Sequence, residues 1–344
     1  MKTNPFSLTF GKQPPQYISR YESTDMILSA FREEIPVSQI YLIEGLRGSG
    51  KTVLMTTISQ ELREDKTWIV VDLNAAGKLL NDLAHRLYDS CKGVPKLLDK
   101  GFNLSVAGVG LGIGSDTYQD EISVINDLLD AAKKKKKRIL ITIDEVVHSQ
   151  DMREFASQFQ IWLREDYPVF LLMTGLYENI YAIQNDVSLT FLLRSPKVRL
   201  TPLSMLQIKS QYEAIFQISE EEAIKLAELT KGYAFAFQAL GMLYWEYGKT
   251  MELSGILSKF DELLEDFVYT KIWSSLSESE RRIIHCIDTD KVKVAKILEV
   301  LSMSAGTFSK YRDGLVKSGL LVSETHGYVG LSLPRFYEVT RFMN

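Results

Sequence analysis

Apolar residues fall along this chain in two rhythms. Four short runs are almost continuously apolar: Ile40 to Ile43, Thr67 to Leu73, Ile139 to Ile143 and Val169 to Met173. Runs of this length, rich in β-branched residues, predict strands buried on both faces, as in a parallel sheet. Between and around them, apolar positions recur at three- and four-residue spacing. That spacing predicts helices over about 23–34, 53–64, 78–91, 121–137 and 152–165. Ser23 or Thr24 could cap the first. Strands alternating with helices give an α/β fold with a parallel sheet.

Residues 179–193 read as irregular to helical, and Pro196 and Pro202 mark the end of the α/β part. From Ser204 to about Val268 the pattern is helical throughout, with Ser219-Glu220-Glu221-Glu222 as a capped start. From about Leu276 the spacing predicts helices over 277–287, 292–301 and 304–318, the last ended by Gly319. A two-stranded ribbon follows over 320–332, with Gly327 near its turn. Three helices and a ribbon have the order of a winged helix-turn-helix. The expected domains are an α/β domain over 1–202, a helical lid over 203–272 and a winged helix-turn-helix over 273–344. Two stretches stand apart. Residues 1–16 hold Pro5, Pro14 and Pro15 and read as an extended arm. Residues 102–115 alternate apolar with small or polar residues and predict an inserted β-hairpin beside the core. No Lys-Ser/Thr follows their glycines, so they do not form a second phosphate loop.

The first apolar run leads straight into candidate chemistry. Gly45, Gly48, Gly50, Lys51 and Thr52 satisfy G-x-x-x-x-G-K-[ST] between a predicted strand and a predicted helix, the context a P-loop requires. Glycines let successive backbone N–H groups approach a phosphate, and the following helix adds the positive end of its dipole. The candidate nucleotide contacts are therefore Gly45, Leu46, Arg47, Gly48, Ser49, Gly50, Lys51, Thr52 and Val53. Lys51 offers an ammonium to the terminal phosphates, and Thr52 offers a hard oxygen to Mg²⁺. The third run ends in Asp144-Glu145, two carboxylates at the carboxyl end of a buried strand. Asp144 would hold Mg²⁺, mainly through water, and Glu145 would act as general base. The fourth run ends at Thr174, whose hydroxyl would either orient the attacking water or simply cap a turn.

Composition narrows the partners. The formal net charge of −4 excludes a globally basic nucleic-acid coat. Residues 276–344 carry ten Lys/Arg against eight Asp/Glu, or +2, which leaves −6 for residues 1–275. Lys310, Arg312 and Lys317 lie on or beside the third C-terminal helix, with His326 on the ribbon. They are candidate contacts to double-stranded DNA, although many winged helices bind protein instead. The basic run Lys133 to Arg138 reads as solvated cations at a helix C-terminus. Two cysteines without metal-ligand spacing, no signal-peptide core and no long apolar run point to a cytoplasmic chain.

With the P-loop, the Asp-Glu strand, the Thr-ended strand, a helical lid and a C-terminal winged helix in that order, the chain resembles AAA+ ATPases. It is most similar to the clade of archaeal replication-initiator (origin-recognition) ATPases and the related STAND-type ATPases. The resemblance implies ATP and Mg²⁺ as ligands, and either a DNA-acting switch or a signalling or assembly scaffold. It also implies that Tyr17, Ile18 and Arg20 flank the adenine, a stretch that otherwise reads as a strap at a domain edge. Thr174 matches the sensor 1 position. Arg194, with Arg199 as second choice, matches the arginine that family members present to a neighbouring subunit's γ-phosphate; a surface or lid-packing arginine is the other reading. The lid signature Gly232-Tyr233-Ala234-Phe235 departs from the initiator pattern, with Phe235 where the sensor 2 arginine stands. That favours the STAND-like side of the clade, where ATP acts as a slow switch and bound nucleotide persists; self-association or a protein partner is a separate expectation.

Overall fold

The computed structural model describes residues 3–9, 11, 13–92 and 121–343. The hairpin expected over 102–115 lies outside the described residues. The chain divides into two compact units. A core unit comprises Arg20–Glu44 and Lys51–Arg199, and a C-terminal unit comprises Met1–Ser19, Gly45–Gly50 and Leu200–Asn344.

The core unit is α/β. In chain order it holds α1 (Tyr21–Arg32), β1 (Ile40–Glu44), α2 (Lys51–Glu64), β2 (Trp68–Asn74), α3 (Leu79–Lys92), α4 (Glu121–Lys134) and β3 (Arg138–Asp144). It continues with α5 (Gln150–Arg164), β4 (Val169–Gly175), α6 (Tyr177–Gln184), a 3₁₀ turn (Thr190–Arg194) and β5 (Lys197–Arg199). The five strands are all parallel, in the order β2-β3-β4-β1-β5. Every residue of β1 and β4 is buried, which is why these segments show no alternation. Register then fixes the chemistry: Ile43 lies opposite Thr174, and Ile143 opposite Met173. The carboxyl ends of β1, β3 and β4 thus lie side by side at one end of the sheet.

Two expectations need correction here. Helix α1 begins at Tyr21 with Arg20 as N-cap and no side-chain cap, and Thr24 is buried within the helix, so neither Ser23 nor Thr24 caps it. Strand β5 was not expected at all; it has three residues, too few for a pattern. Three residues of the basic run bond backbone carbonyls within the unit, while Lys134, Lys135 and Lys136 are exposed. The Lys133 ammonium bonds the Glu165 carbonyl at 3.1 Å, Lys137 bonds the Lys66 carbonyl, and Arg138 bonds the Phe31 carbonyl.

The C-terminal unit contains α7 (Met205–Phe216), α8 (Glu220–Glu228), α9 (Ala234–Tyr247), α10 (Leu253–Leu264), a π turn (Glu265–Tyr269) and α11 (Thr270–Ser275). Next come α12 (Glu278–His285), β6 (Val292–Lys293), α13 (Val294–Leu301), α14 (Ala305–Ser318), β7 (Leu321–Val322), β8 (Tyr328–Leu331) and α15 (Phe336–Thr340). Ser219 and Ser277 cap α8 and α12 through their hydroxyls, the latter in a full capping box with Glu280. The last sheet has three antiparallel strands in the order β6-β8-β7, not two, because Val292 and Lys293 pair with β8 instead of starting a helix. The arm is not merely extended. Phe6 is 3% exposed and its ring packs against Tyr212, Phe216 and Phe237. A Cβ on Gly241 would fall 2.5 Å from that ring, so α9 needs a glycine where Phe6 enters.

Candidate functional site

The phosphate loop is built from the end of β1 and the start of α2. Six residues, Gly45 to Gly50, join them. Gly48 and Gly50 take φ of +75° and +93°, where an L side chain is strained, so the two glycines are required by the loop's path. The Ser49 N–H donates to the Leu46 carbonyl at 3.2 Å and closes a turn. Lys51 is 6% exposed and opens α2, so its ammonium and the helix N-terminus lie at the same point of the chain. Val53 follows, half-buried in the first turn of α2.

Within the core unit, three side chains from three elements and one backbone N–H meet. The Thr52 hydroxyl donates to Asp144 Oδ2 at 2.9 Å. Thr174, fully buried at the end of β4, donates its hydroxyl to Asp144 Oδ1. The Glu145 N–H reaches both Asp144 Oδ1 and Thr174 Oγ1 at 3.1 Å. Glu145 itself has φ of +52°, an uncommon conformation for a residue with a side chain, and it is exposed. A carboxylate oxygen and a threonine hydroxyl at 2.9 Å form the hard-oxygen pair that a divalent cation with several waters accepts, so Thr52 and Asp144 fit Mg²⁺.

The arginines separate. Arg194 is exposed at the end of the 3₁₀ turn. Arg199 is engaged within its own unit: its Nε and Nη2 each reach Glu44 Oε1 at 2.9 Å, and its guanidinium lies 5.7 Å from the Tyr177 ring centre. Glu44 is 4% exposed, so this is a buried carboxylate held by a half-exposed guanidinium. The sequence carried one hint of it, a glutamate closing an otherwise apolar strand. A second cluster missed in the sequence joins His148, three residues past Glu145, to Asp186 and Ser188. Asp186 takes the Ser188 hydroxyl at 2.6 Å and His148 Nε2 at 2.7 Å, which hold its carboxyl well below the usual range.

Of the residues expected near adenine, Ile18 is 7% exposed in the core of the C-terminal unit, and the Tyr17 carbonyl accepts from Gln211. Arg20 belongs to the core unit, where burial pulls its guanidinium down to about 10. The loop residues Gly45–Gly50 belong to the C-terminal unit and are bonded within it. The Tyr233 hydroxyl donates to the Arg47 carbonyl, and the Phe235 N–H donates to the Gly48 carbonyl at 3.1 Å. Leu46 lies beside Gly319, the left-handed cap of α14. On α14, the spacing of Phe308, Leu315 and Val316 predicts an inward face; Phe308 and Leu315 are buried and Val316 is half-buried, while Lys310 is exposed and Arg312 half-buried. Lys317 forms an ion pair with Asp313 at 2.7 Å.

Comparison with known proteins locates this architecture. A family described as "Domain of unknown function (DUF8462)" matches residues 266–339. A search of curated proteins found no match. Among solved structures, the Walker-type ATPase paby2304 of Pyrococcus abyssi is similar with a TM-score of 0.65 at 14% identity, over 94% of this chain and 96% of that one. The ORC2 protein of Aeropyrum pernix, solved as ADPNP-ADP complexes, gives 0.62 at 15% identity, over 97% and 96%. Cdc6p of Pyrobaculum aerophilum gives 0.51 at 12%, over 99% and 97%. Identities this low speak for fold, and the fold is that of the P-loop AAA+ ATPases, with archaeal Orc and Cdc6 proteins among its structural neighbours.

Proposed function

We propose that this chain is a Mg²⁺-dependent ATP-binding switch with slow ATP hydrolysis, and that it couples its nucleotide state to DNA through a C-terminal winged helix. The observation that carries the nucleotide reading is the Asp144 carboxylate, which takes the Thr52 hydroxyl at the foot of the phosphate-loop helix and the Thr174 hydroxyl on its other oxygen. In this reading Lys51 and the loop N–H groups bind the β- and γ-phosphates. Thr52 and Asp144 hold the metal, which when bound neutralises charge on the phosphates. Glu145, exposed just past Asp144, takes a proton from the attacking water. Thr174 orients Asp144 through its hydroxyl.

The DNA part rests on α14, whose exposed Lys310 and neighbouring Arg312 would meet a phosphate backbone or base edges. A scaffold reading, in which the same module contacts protein, draws on different observations. Lys317 is already paired with Asp313, while Val300 and Phe342 are 62% and 80% exposed.

Titration calorimetry with MgATP tests the first half: wild type should bind, and Lys51→Ala should lose measurable binding. Equal affinity in both would refute the nucleotide site. Fluorescence anisotropy with labelled duplex at two salt concentrations tests the second. Binding should weaken strongly in Lys310→Glu/Arg312→Glu, with a flatter salt slope. No binding by wild type at low salt, with or without ATP, would select the scaffold.

A further inference from the structure

Two consecutive peptide groups of the phosphate loop are held by the same short segment of the C-terminal unit. Tyr233 donates to the Arg47 carbonyl and the Phe235 N–H to the Gly48 carbonyl. A trans peptide points its N–H opposite to its carbonyl. Fixing these two carbonyls therefore fixes the direction of the Gly48 N–H, which the loop would present to phosphate, and of the Ser49 N–H, which closes the turn on the Leu46 carbonyl at 3.2 Å.

The donor is itself rigidly aimed. Lys231 and Gly232 both sit at positive φ, +47° and +72°. The Thr230 hydroxyl accepts from the Gly232 N–H at 3.2 Å, and the Thr230 carbonyl accepts from the Tyr233 N–H at 2.8 Å. The Gly232 carbonyl accepts from the Leu203 N–H at 2.7 Å. A Cβ on Gly232 would fall 2.7 Å from the Leu203 carbonyl oxygen, so the turn tolerates no side chain there. Tyr233 is 5% exposed, and burial pushes its hydroxyl far above the usual phenol range, so it remains a donor. On the receiving side, a Cβ on Gly48 would lie 2.2 Å from the Tyr233 hydroxyl oxygen. The loop and the tyrosine are fitted to each other atom by atom.

We propose that Tyr233 is a positioning residue that sets the peptide orientation of the phosphate loop, so that nucleotide affinity depends on the lid turn 230–235. This rests on the nucleotide-binding reading above. The hydroxyl acts on the loop's backbone, through the Arg47 carbonyl.

The test is Tyr233→Phe, which keeps the buried ring and removes one donor. Calorimetry with MgATP and MgADP should show Kd raised about fivefold for both, the worth of one net hydrogen bond. In steady state KM should rise with kcat unchanged, because Thr52, Asp144 and Glu145 are untouched. Thermal melting without nucleotide should stay close to wild type, which separates positioning from general damage. Tyr233→Ala should raise Kd further. Wild type that binds no nucleotide would overturn the functional reading itself. Wild type that binds, with Tyr233→Phe binding equally well or more tightly, would overturn the positioning role alone.

Discussion

Glu145 holds a backbone conformation that works against folding. At φ of +52° its Cβ crowds the backbone, at a cost of about 1–2 kcal/mol. Its N–H bonds to Asp144 and Thr174 are what the strain secures. Glu145→Gly should therefore raise the melting temperature while abolishing turnover, whereas Glu145→Gln should leave stability alone and slow hydrolysis by about a hundredfold or more. Differential scanning calorimetry beside a phosphate-release assay checks both; a Gly variant that melts lower would show the strain argument to be wrong. Arg199 makes a second residue-scale case. Arg199→Ala strands the buried Glu44 carboxylate and should cost about 1–3 kcal/mol in urea unfolding, and adding Glu44→Gln should recover part of it. A loss in the single variant that Glu44→Gln does not relieve would remove the pair from the explanation. Lys51, Thr52, Asp144 and Thr174 were legible in the sequence because each belongs to a spaced motif or closes a long apolar run. The Glu44–Arg199 pair was not, because the partner rides on a three-residue strand that leaves no periodicity.

At the scale of elements, the four buried strands follow from burial on both faces and their helices from three- and four-residue apolar spacing, and the sequence shows their bounds to within about three residues. What it hid were elements defined by their partners. Val292 and Lys293 look like a helix start but complete a sheet edge with β8. Helix α1 starts after Arg20 with no side-chain cap hydrogen bond, so its start could not be read from a capping residue. The N-terminal arm sets its phenylalanines among prolines and polar residues with no regular spacing, yet Phe6 fills the centre of the aromatic cluster formed by α7 and α9. Phe6→Ala should destabilise the C-terminal unit by about 3–5 kcal/mol, as for other buried aromatics. Denaturant melts of the full chain measure this, and a loss under about 1 kcal/mol would mean that the cluster closes without the arm.

For the whole molecule, the open question is whether one copy suffices. Arg194 is exposed and has no place in the Asp144 cluster. If it serves a neighbouring copy's γ-phosphate, Arg194→Ala should leave MgATP affinity unchanged and remove only that part of the turnover that rises with protein concentration. Specific activity independent of concentration in both proteins would leave Arg194 as a surface residue. A sequence can supply a candidate for such a role through resemblance, but the pairing of copies is a property of surfaces, which no motif encodes.

The grouping of Gly45–Gly50 with Met1–Ser19 and Leu200–Asn344 bears on how such a chain can be rebuilt. The covalent thread passes between the two units four times, at Ser19, Glu44, Gly50 and Arg199. Residues 200–344 are therefore not a cassette. A chimera that exchanges them alone would receive a foreign surface where Leu46, Arg47 and Gly48 find Gly319, Tyr233 and Phe235, and would leave Phe6 without its pocket. Successful recombination must move three separated stretches of gene together, so substitutions in the arm, the loop and the C-terminal third should be inherited as a set.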